Sequence, residues 1–195
     1  MPAPQNKVFN IQGVNHLALV CKDMARTVDF YSNVLGMPLI KTIDLPNGMG
    51  QHFFFDIGNG DSLAFFWFPN APEATPGVAA SAGLPGTGSS IISGHGSMNH
   101  VALNVPADKI DEYYDKLQAR GVECTRIMNH DDSPRQASPE LTPTTFVRSI
   151  YFLDPDGICL EFASWTRALD PKTDVKHEPV GADGKKRAVK LEPAE

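Results

Sequence analysis

A chain of 195 residues, 42% of them hydrophobic, can bury a sizeable core as one domain or as two small ones. Its formal net charge of -6 and sequence pI of about 5.5 work against a phosphate-backbone partner, so nucleic acid is not an expected ligand. Cys21, Cys124 and Cys159 form neither a disulfide framework nor a C-x-x-C knuckle, and no charged leader or run of 18 apolar residues is present, so a soluble cytoplasmic protein with free thiols and no membrane contact is expected.

The first apolar run, VNHLALVC from Val14, is short and bounded by polar residues, which predicts a strand with a buried face. Asp23 then stands where a helix N-cap belongs. Met24, Val28, Tyr31 and Leu35 recur at helical spacing, and Gly36 suits the left-handed residue that ends a helix. MPLIKTIDL, GQHFFFDIG and DSLAFFWFP follow as strands, separated by the turn sequences PNGMG and GNGD. The same order then repeats. NHVALNV is a strand, Asp108 is placed to cap a helix carrying Ile110, Tyr114 and Leu117, and Gly121 ends that helix. VECTRIM, FVRSIYFLD and GICLEFASW are the remaining strands, with DPDG turning between the last two.

The expected fold class is therefore α+β, with tandem βαβββ modules over residues 1–68 and 98–167. A period of roughly eighty residues marks a duplicated module rather than a solenoid. Residues 69–97, rich in Pro, Gly, Ala and Ser, are either a flexible linker or a lid that would use Val78, Leu84, Ile91 and Ile92. Residues 168–195 are charged, lack apolar periodicity and read as a polar tail.

Each module opens on the same pentapeptide pattern, NHLAL at Asn15 to Leu19 and NHVAL at Asn99 to Leu103. Strand alternation puts His16 on a face with Ala18 and Val20, leaving Leu17 and Leu19 for the helix, and puts His100 with Ala102 and Asn104. In the last strand Leu160 and Phe162 are the helix-facing pair, so Glu161 points the other way with Cys159 and Ala163. Two imidazoles and one carboxylate on such faces match the triad that holds an octahedral divalent ion and leaves positions open on it. A single strand histidine is more often a hydrogen-bonded core residue. It is the matched pair, with Glu161 in phase, that points to a metal.

NHLALVCKDMARTVDFYSNVLGMPLI, NHVALNVPADKIDEYYDKLQARGVE and RSIYFLDPDGICLEF together resemble the vicinal oxygen chelate superfamily. That superfamily includes glyoxalase I, methylmalonyl-CoA epimerase, fosfomycin-resistance proteins and type I extradiol dioxygenases. The resemblance covers about Val14 to Trp165, apart from the long connection and the tail. It implies paired modules whose curved mixed sheet encloses a metal, held by His16 and His100 on the first strands and Glu161 on the last. Aligning GNGDSLAF with DPDGICLEF by their turns sets Ala64 opposite Glu161, so the first module supplies no carboxylate there. Glyoxalase I resembles a four-ligand version with a histidine and a glutamate from both modules. The three-ligand set is instead like that of extradiol dioxygenases and hydroxyphenylpyruvate dioxygenase, where Fe(II) holds both the organic substrate and dioxygen.

Tyr151 falls where extradiol enzymes carry a tyrosine near the substrate oxygen; its other reading is packing with a satisfied hydroxyl. His52 matches it in strand parity in the first module, which suits an acid or base for the same cavity. The extradiol acid–base histidine belongs near Gly60, where this chain has none. His95 and His130 sit in polar stretches and read as exposed loop residues, and Cys159 reads as an inert buried thiol. Arg148 either grips an anionic substrate group or pairs with a surface acid. Phe54, Ala64, Phe66 and Phe68 would give an apolar, aromatic wall.

The expected activity is that of a mononuclear Fe(II) enzyme cleaving a catechol-like aromatic or hydrophobic small molecule with O2, Mn, Ni or Zn being the ions of the isomerase alternative. The alternatives are a glyoxalase-like isomerase or lyase and a bleomycin-resistance-like binding protein. Modules paired within one chain would complete the site without a second subunit, and a homo-oligomer stays compatible with it.

Overall fold

The computed structural model describes residues 11–189; residues 1–10 of the expected first module and 190–195 of the expected tail lie outside them. The first strand, β1 (His16–Cys21), alternates between exposed and more buried side chains, as a strand with one covered face must. The Asp23 carboxylate accepts the Arg26 N–H at 3.1 Å and starts α1 (Met24–Val28), whose chain continues as a wider π-helical turn over Asp29–Val34 and buries Tyr31. Gly36 takes a φ of +79° where the helix ends. β2 (Leu39–Asp44), β3 (Gln51–Gly58) and β4 (Asp61–Trp67) follow. Asn59 and Gly60, both at positive φ, form the two-residue turn that joins β3 to β4.

The second module is built the same way from β5 (Val101–Asn104), α2 (Ile110–Ala119), β6 (Met128–His130), β7 (Val147–Leu153) and β8 (Cys159–Trp165). Two local expectations are corrected. Asp108 does not cap α2: it lies inside a 3-10 turn, Ala107–Lys109, and the acidic first turn is supplied by Asp111 and Glu112. VECTRIM is not a continuous strand, because the Thr125 hydroxyl accepts the Tyr151 N–H at 3.0 Å in place of a backbone carbonyl. Only Cys124 bridges to Phe152, and the regular ladder resumes at Met128.

Each module forms its own four-stranded mixed sheet, in the orders β1-β4-β3-β2 and β5-β8-β7-β6, with the first strand of each parallel to its neighbour. The ladders superpose the modules residue by residue. Ala64 pairs with Ala18 and Phe54, while Glu161 pairs with Ala102 and Tyr151, so alanine and glutamate occupy equivalent positions.

One core joins the two helix-facing sides. Tyr31, Phe55, Leu63 and Phe65 of the first module are buried in the same cluster as Ile110, Leu117, Ile150, Phe152 and Leu160 of the second. Each such side chain contributes about 1.5–3 kcal/mol by leaving water. The DPDG turn adds polar ties across this core. Asp154 accepts the Tyr31 hydroxyl at 3.1 Å and the N–H groups of Asp156 and Ile158, and Asp156 accepts the Lys22 N–H at 3.1 Å. Arg120 donates to the carbonyls of Asn33 and Val34 at 2.9 and 3.0 Å.

The connection after β4 folds against the second module: Ser81 is buried, its N–H reaches the Asn99 carbonyl, and Gly86 lies beside Met128. Contacts set Val14–Arg167, which holds everything above, apart from residues 168–189. In the latter, Asp170 caps a single helical turn, α3 (Pro171–Asp174). No described helix is long and apolar enough to cross a membrane.

Burial pushes the Asp154 carboxyl up from 3.8 to about 6, against the hydrogen bonds that favour its charge. A carboxyl whose folded pKa is raised gives stability that is full below 3.8 and lost as the pH climbs through about 6, up to roughly 3 kcal/mol in all. Denaturant unfolding should therefore show wild type gaining stability over Asp154→Asn as the pH falls from neutral toward the unfolded value; parallel pH profiles for the two proteins would refute the assignment.

Candidate metal centre

His100 ends the approach to β5, and its Nε2 lies 3.0 Å from Oε2 of Glu161 on β8. Glu161 is buried, with Tyr151 directly across the ladder on β7. The Tyr151 ring meets the His100 ring edge-on, with centroids 5.8 Å apart, and its hydroxyl lies 3.2 Å from Nε2 of His130 at the end of β6. Four side chains with acid–base or ligating chemistry thus converge on one face of the second sheet.

Burial alone would raise the Glu161 carboxyl, but hydrogen bonds and charge from His100, with help from Ser149 and Tyr151, hold it below its ordinary 4.5. The bond to Glu161 in turn holds His100 above 6.5, opposed by burial. The signs agree: His100 contributes fully below 6.5 and loses its contribution as the pH rises through its folded pKa, and Glu161 contributes fully above 4.5 and loses it as the pH falls. Without a metal, the imidazolium of His100 beside the Glu161 carboxylate persists to higher pH than that of a free histidine. Burial, then the Glu161 charge, pushes the Tyr151 phenol well above 10, so it stays protonated. The same two causes push the buried Cys159 thiol up to about 11, which leaves it inert.

Neighbouring donors on an octahedral ion, at bonds of about 2.1 Å, sit about 3.0 Å apart. The separation of His100 Nε2 from Glu161 Oε2 is 3.0 Å, so this imidazole–carboxylate pair fits two such positions.

His16 lies elsewhere. Its ring packs edge-on to Phe54 at 5.6 Å, Phe54 contacts His52 at 4.3 Å, and His52 stacks on Phe66 at 3.6 Å, with Phe66 stacked on Phe68. His52 Nε2 is buried with no hydrogen-bond partner, and burial, with His16 nearby, lowers its pKa. Among the described residues no three His, Cys, Asp or Glu side chains come together closely enough to hold a metal ion. The expectation that one chain closes the triad by itself is thus not met. The modules join through their helix-facing sides, and the opposite faces carry His16 with His52 on one sheet and His100 with Glu161 and Tyr151 on the other.

Two further residues depart from expectation or resolve an alternative. His130 is no isolated loop histidine: β6 extends to it, two residues past the expected strand end, and in phase with Met128. That parity was the available signal, masked by the polar NHDDS sequence. Asp131 anchors the loop that follows, accepting the Ser133 N–H at 3.0 Å and the hydroxyls of Ser138 and Thr142. Arg148 pairs with Asp111 through two bonds of 2.9 Å and with Asn129, so its guanidinium is engaged on the helix side. His95 is exposed.

Residues 13–162 match the family model described as the Glyoxalase/Bleomycin resistance protein/Dioxygenase superfamily. The chain belongs to this superfamily. Its members are mostly metal-dependent enzymes acting on small molecules. Metallothiol transferase FosB of Lysinibacillus sphaericus is 27% identical over 158 residues, covering 81% of this chain and 86% of that protein. The 4-hydroxyphenylpyruvate dioxygenase of Daucus carota is 24% identical over 161 residues, 80% of this chain but 36% of that enzyme. The chain therefore spans about a third of the dioxygenase's length. In fold, it is similar to the crystal structure of a glyoxalase/dioxygenase from Nostoc punctiforme, with a TM-score of 0.55 at 18% identity over 86% of this chain and 99% of that one.

A divalent ion at His100 and Glu161 has to displace the proton of the imidazolium. Calorimetric titration with Mn2+ should show affinity rising with pH above 6.5 and levelling once the His100 ring is neutral, and Glu161→Ala should abolish the binding. A pH-independent affinity, or one that survives in Glu161→Ala, would place the metal elsewhere.

Proposed function

We propose that this chain is a mononuclear non-haem enzyme that cleaves a catechol-like aromatic with O2, using Fe(II). His16, His100 and Glu161 hold the metal, and Tyr151, His52 and His130 act on protons. The observation that carries this reading is the protonated Tyr151 hydroxyl, 3.2 Å from His130 and packed beside the His100–Glu161 pair. When bound, the ion would acidify the substrate hydroxyls and leave positions open for substrate and dioxygen. Tyr151 directs its hydroxyl at a substrate oxygen, and the His130 ring nitrogen takes or returns the proton at Oη. Phe54, Phe66 and Phe68 offer flat apolar surface for an aromatic ring, next to the neutral imidazole of His52. The likeness to a dioxygenase of a hydroxyphenyl compound supports the same substrate class.

The site is shared between two copies. Around each ligand the sheet face is open: His16, Ala18 and Val20 are exposed on one, and His100, Ala102 and Asn104 on the other. A two-fold axis that lays the His16 face of one copy over the Glu161 face of its partner completes two identical triads at once. The unpaired Cys21, Cys124 and Cys159 suit a reducing compartment, the cytoplasm.

An oxygen electrode with Fe(II)-loaded protein and a panel of catechols should record O2 uptake, and no uptake across the panel would end the ring-cleavage reading. Tyr151→Phe should retain iron and lose about 10²- to 10⁴-fold in kcat. Mixing inactive His16→Ala with inactive Glu161→Ala protein should regenerate roughly a quarter of the sites if each triad spans two chains, and none if it does not. A second reading, metallothiol transfer, is favoured by the relative that covers most of both chains. It would appear as consumption of a thiol without O2.

A further inference from the structure

A histidine binds a metal through only one ring nitrogen, and the location of its proton decides which. At His100 the preceding residue bears on that location. The Asn99 amide nitrogen lies 2.7 Å from the Ile91 carbonyl oxygen and 3.1 Å from the Ser93 hydroxyl. A carbonyl can only accept, so this end of the side chain is the NH2 and the other end is the acceptor oxygen. That oxygen, Oδ1, lies 2.9 Å from His100 Nδ1. Two acceptors at this distance would repel, so Nδ1 carries a proton and donates it to Asn99. His100 Nε2, 3.0 Å from Glu161 Oε2, then faces a buried carboxylate with its lone pair. Such a contact is favourable only with a cation between the two atoms, either a proton or a metal ion.

We propose that Asn99 is a positioning residue that fixes His100 in the tautomer with Nε2 free for a metal, and that the 91–93 segment of the intermodule connection locks Asn99 in that orientation. The inference rests on the reading of His100 as a ligand. It gives the repeated Asn-His pair a physical reason, because Asn15 Oδ1 lies 2.7 Å from His16 Nδ1 in the first module as well. It also explains part of the long connection, since Ile91 and Ser93 hold the amide that holds the ligand. A hydrogen bond from the remote nitrogen of a metal-bound histidine orients the ring and raises its basicity, and its loss typically weakens metal binding about 10- to 100-fold.

The test uses the full-length protein saturated with diamagnetic Zn2+, which would stand between Nε2 and Glu161, and long-range proton–nitrogen NMR of the histidine rings. Wild type should show His100 protonated on Nδ1. Asn99→Ala should lose the slowly exchanging Nδ1–H signal and weaken Mn2+ binding by about 10- to 100-fold. Asn99→Asp keeps an acceptor for Nδ1 but cannot donate to Ile91. It should retain the wild-type tautomer and most of the Mn2+ affinity, while hydrogen exchange quickens at residues 91–93. A wild-type ring protonated on Nε2, an undiminished Mn2+ affinity in Asn99→Ala, or an Asn99→Asp protein as weak in Mn2+ binding as Asn99→Ala would each overturn the proposal. The wild-type spectrum decides even where a variant fails to fold. Absence of O2 uptake would leave the tautomer result standing, and a failed tautomer test would leave ring cleavage open, so the two readings fall separately.

Discussion

Each βαβββ module has a helix-covered sheet face that is too apolar to leave in water, and the two modules bury these faces against one another. Phe55, Leu63 and Phe65 meet the same core as Ile150, Phe152 and Leu160, with the Tyr31–Asp154 hydrogen bond inside it. Strand geometry does the rest. Side chains of the opposite parity have to point away from that core, so His16, Ala18 and Val20 on one sheet and His100, Ala102 and Asn104 on the other are left facing outward. The open faces are consequences of how the apolar faces are closed.

On those faces the duplicated modules have diverged. At equivalent ladder positions one carries Ala64 and the other Glu161, and at the next pair one carries Phe54 and the other Tyr151. The second sheet has concentrated the polar groups. Glu161 is nearly fully buried, and a buried carboxylate stays charged only with a cation or several donors beside it, which His100, Tyr151 and their neighbours provide. The first sheet carries His16 at the edge of a run of packed rings, Phe54, His52, Phe66 and Phe68. One face offers donors and acid–base groups, the other an aromatic wall.

The β7–β8 hairpin links the two regions. Tyr151 and Glu161 stand on its strands, and its DPDG turn carries Asp154 and Asp156, which tie it to Tyr31 and Lys22 of the first module. The geometry of the candidate centre is therefore anchored to the packing between modules. His100 has its own anchor, through Asn99, in the connection that precedes it.

Much of this was legible in the sequence, because it depends on local periods. The repeated order of strands and helices, the shared parity of His16 and His100 with their small neighbours, and the alignment of Ala64 with Glu161 follow from a two-residue strand period and from turn residues at matched places. Contacts between elements distant in the chain were not. That β6 runs on to His130, that Tyr151 leans its hydroxyl toward that ring, and that Arg148 is engaged by Asp111 and Asn129 depend on which strands and helices become neighbours. So does the separation of His16 from Glu161. A strand pattern says which residues share a face of one sheet; only the burial of the helix-facing sides against each other decides toward what each remaining face is turned.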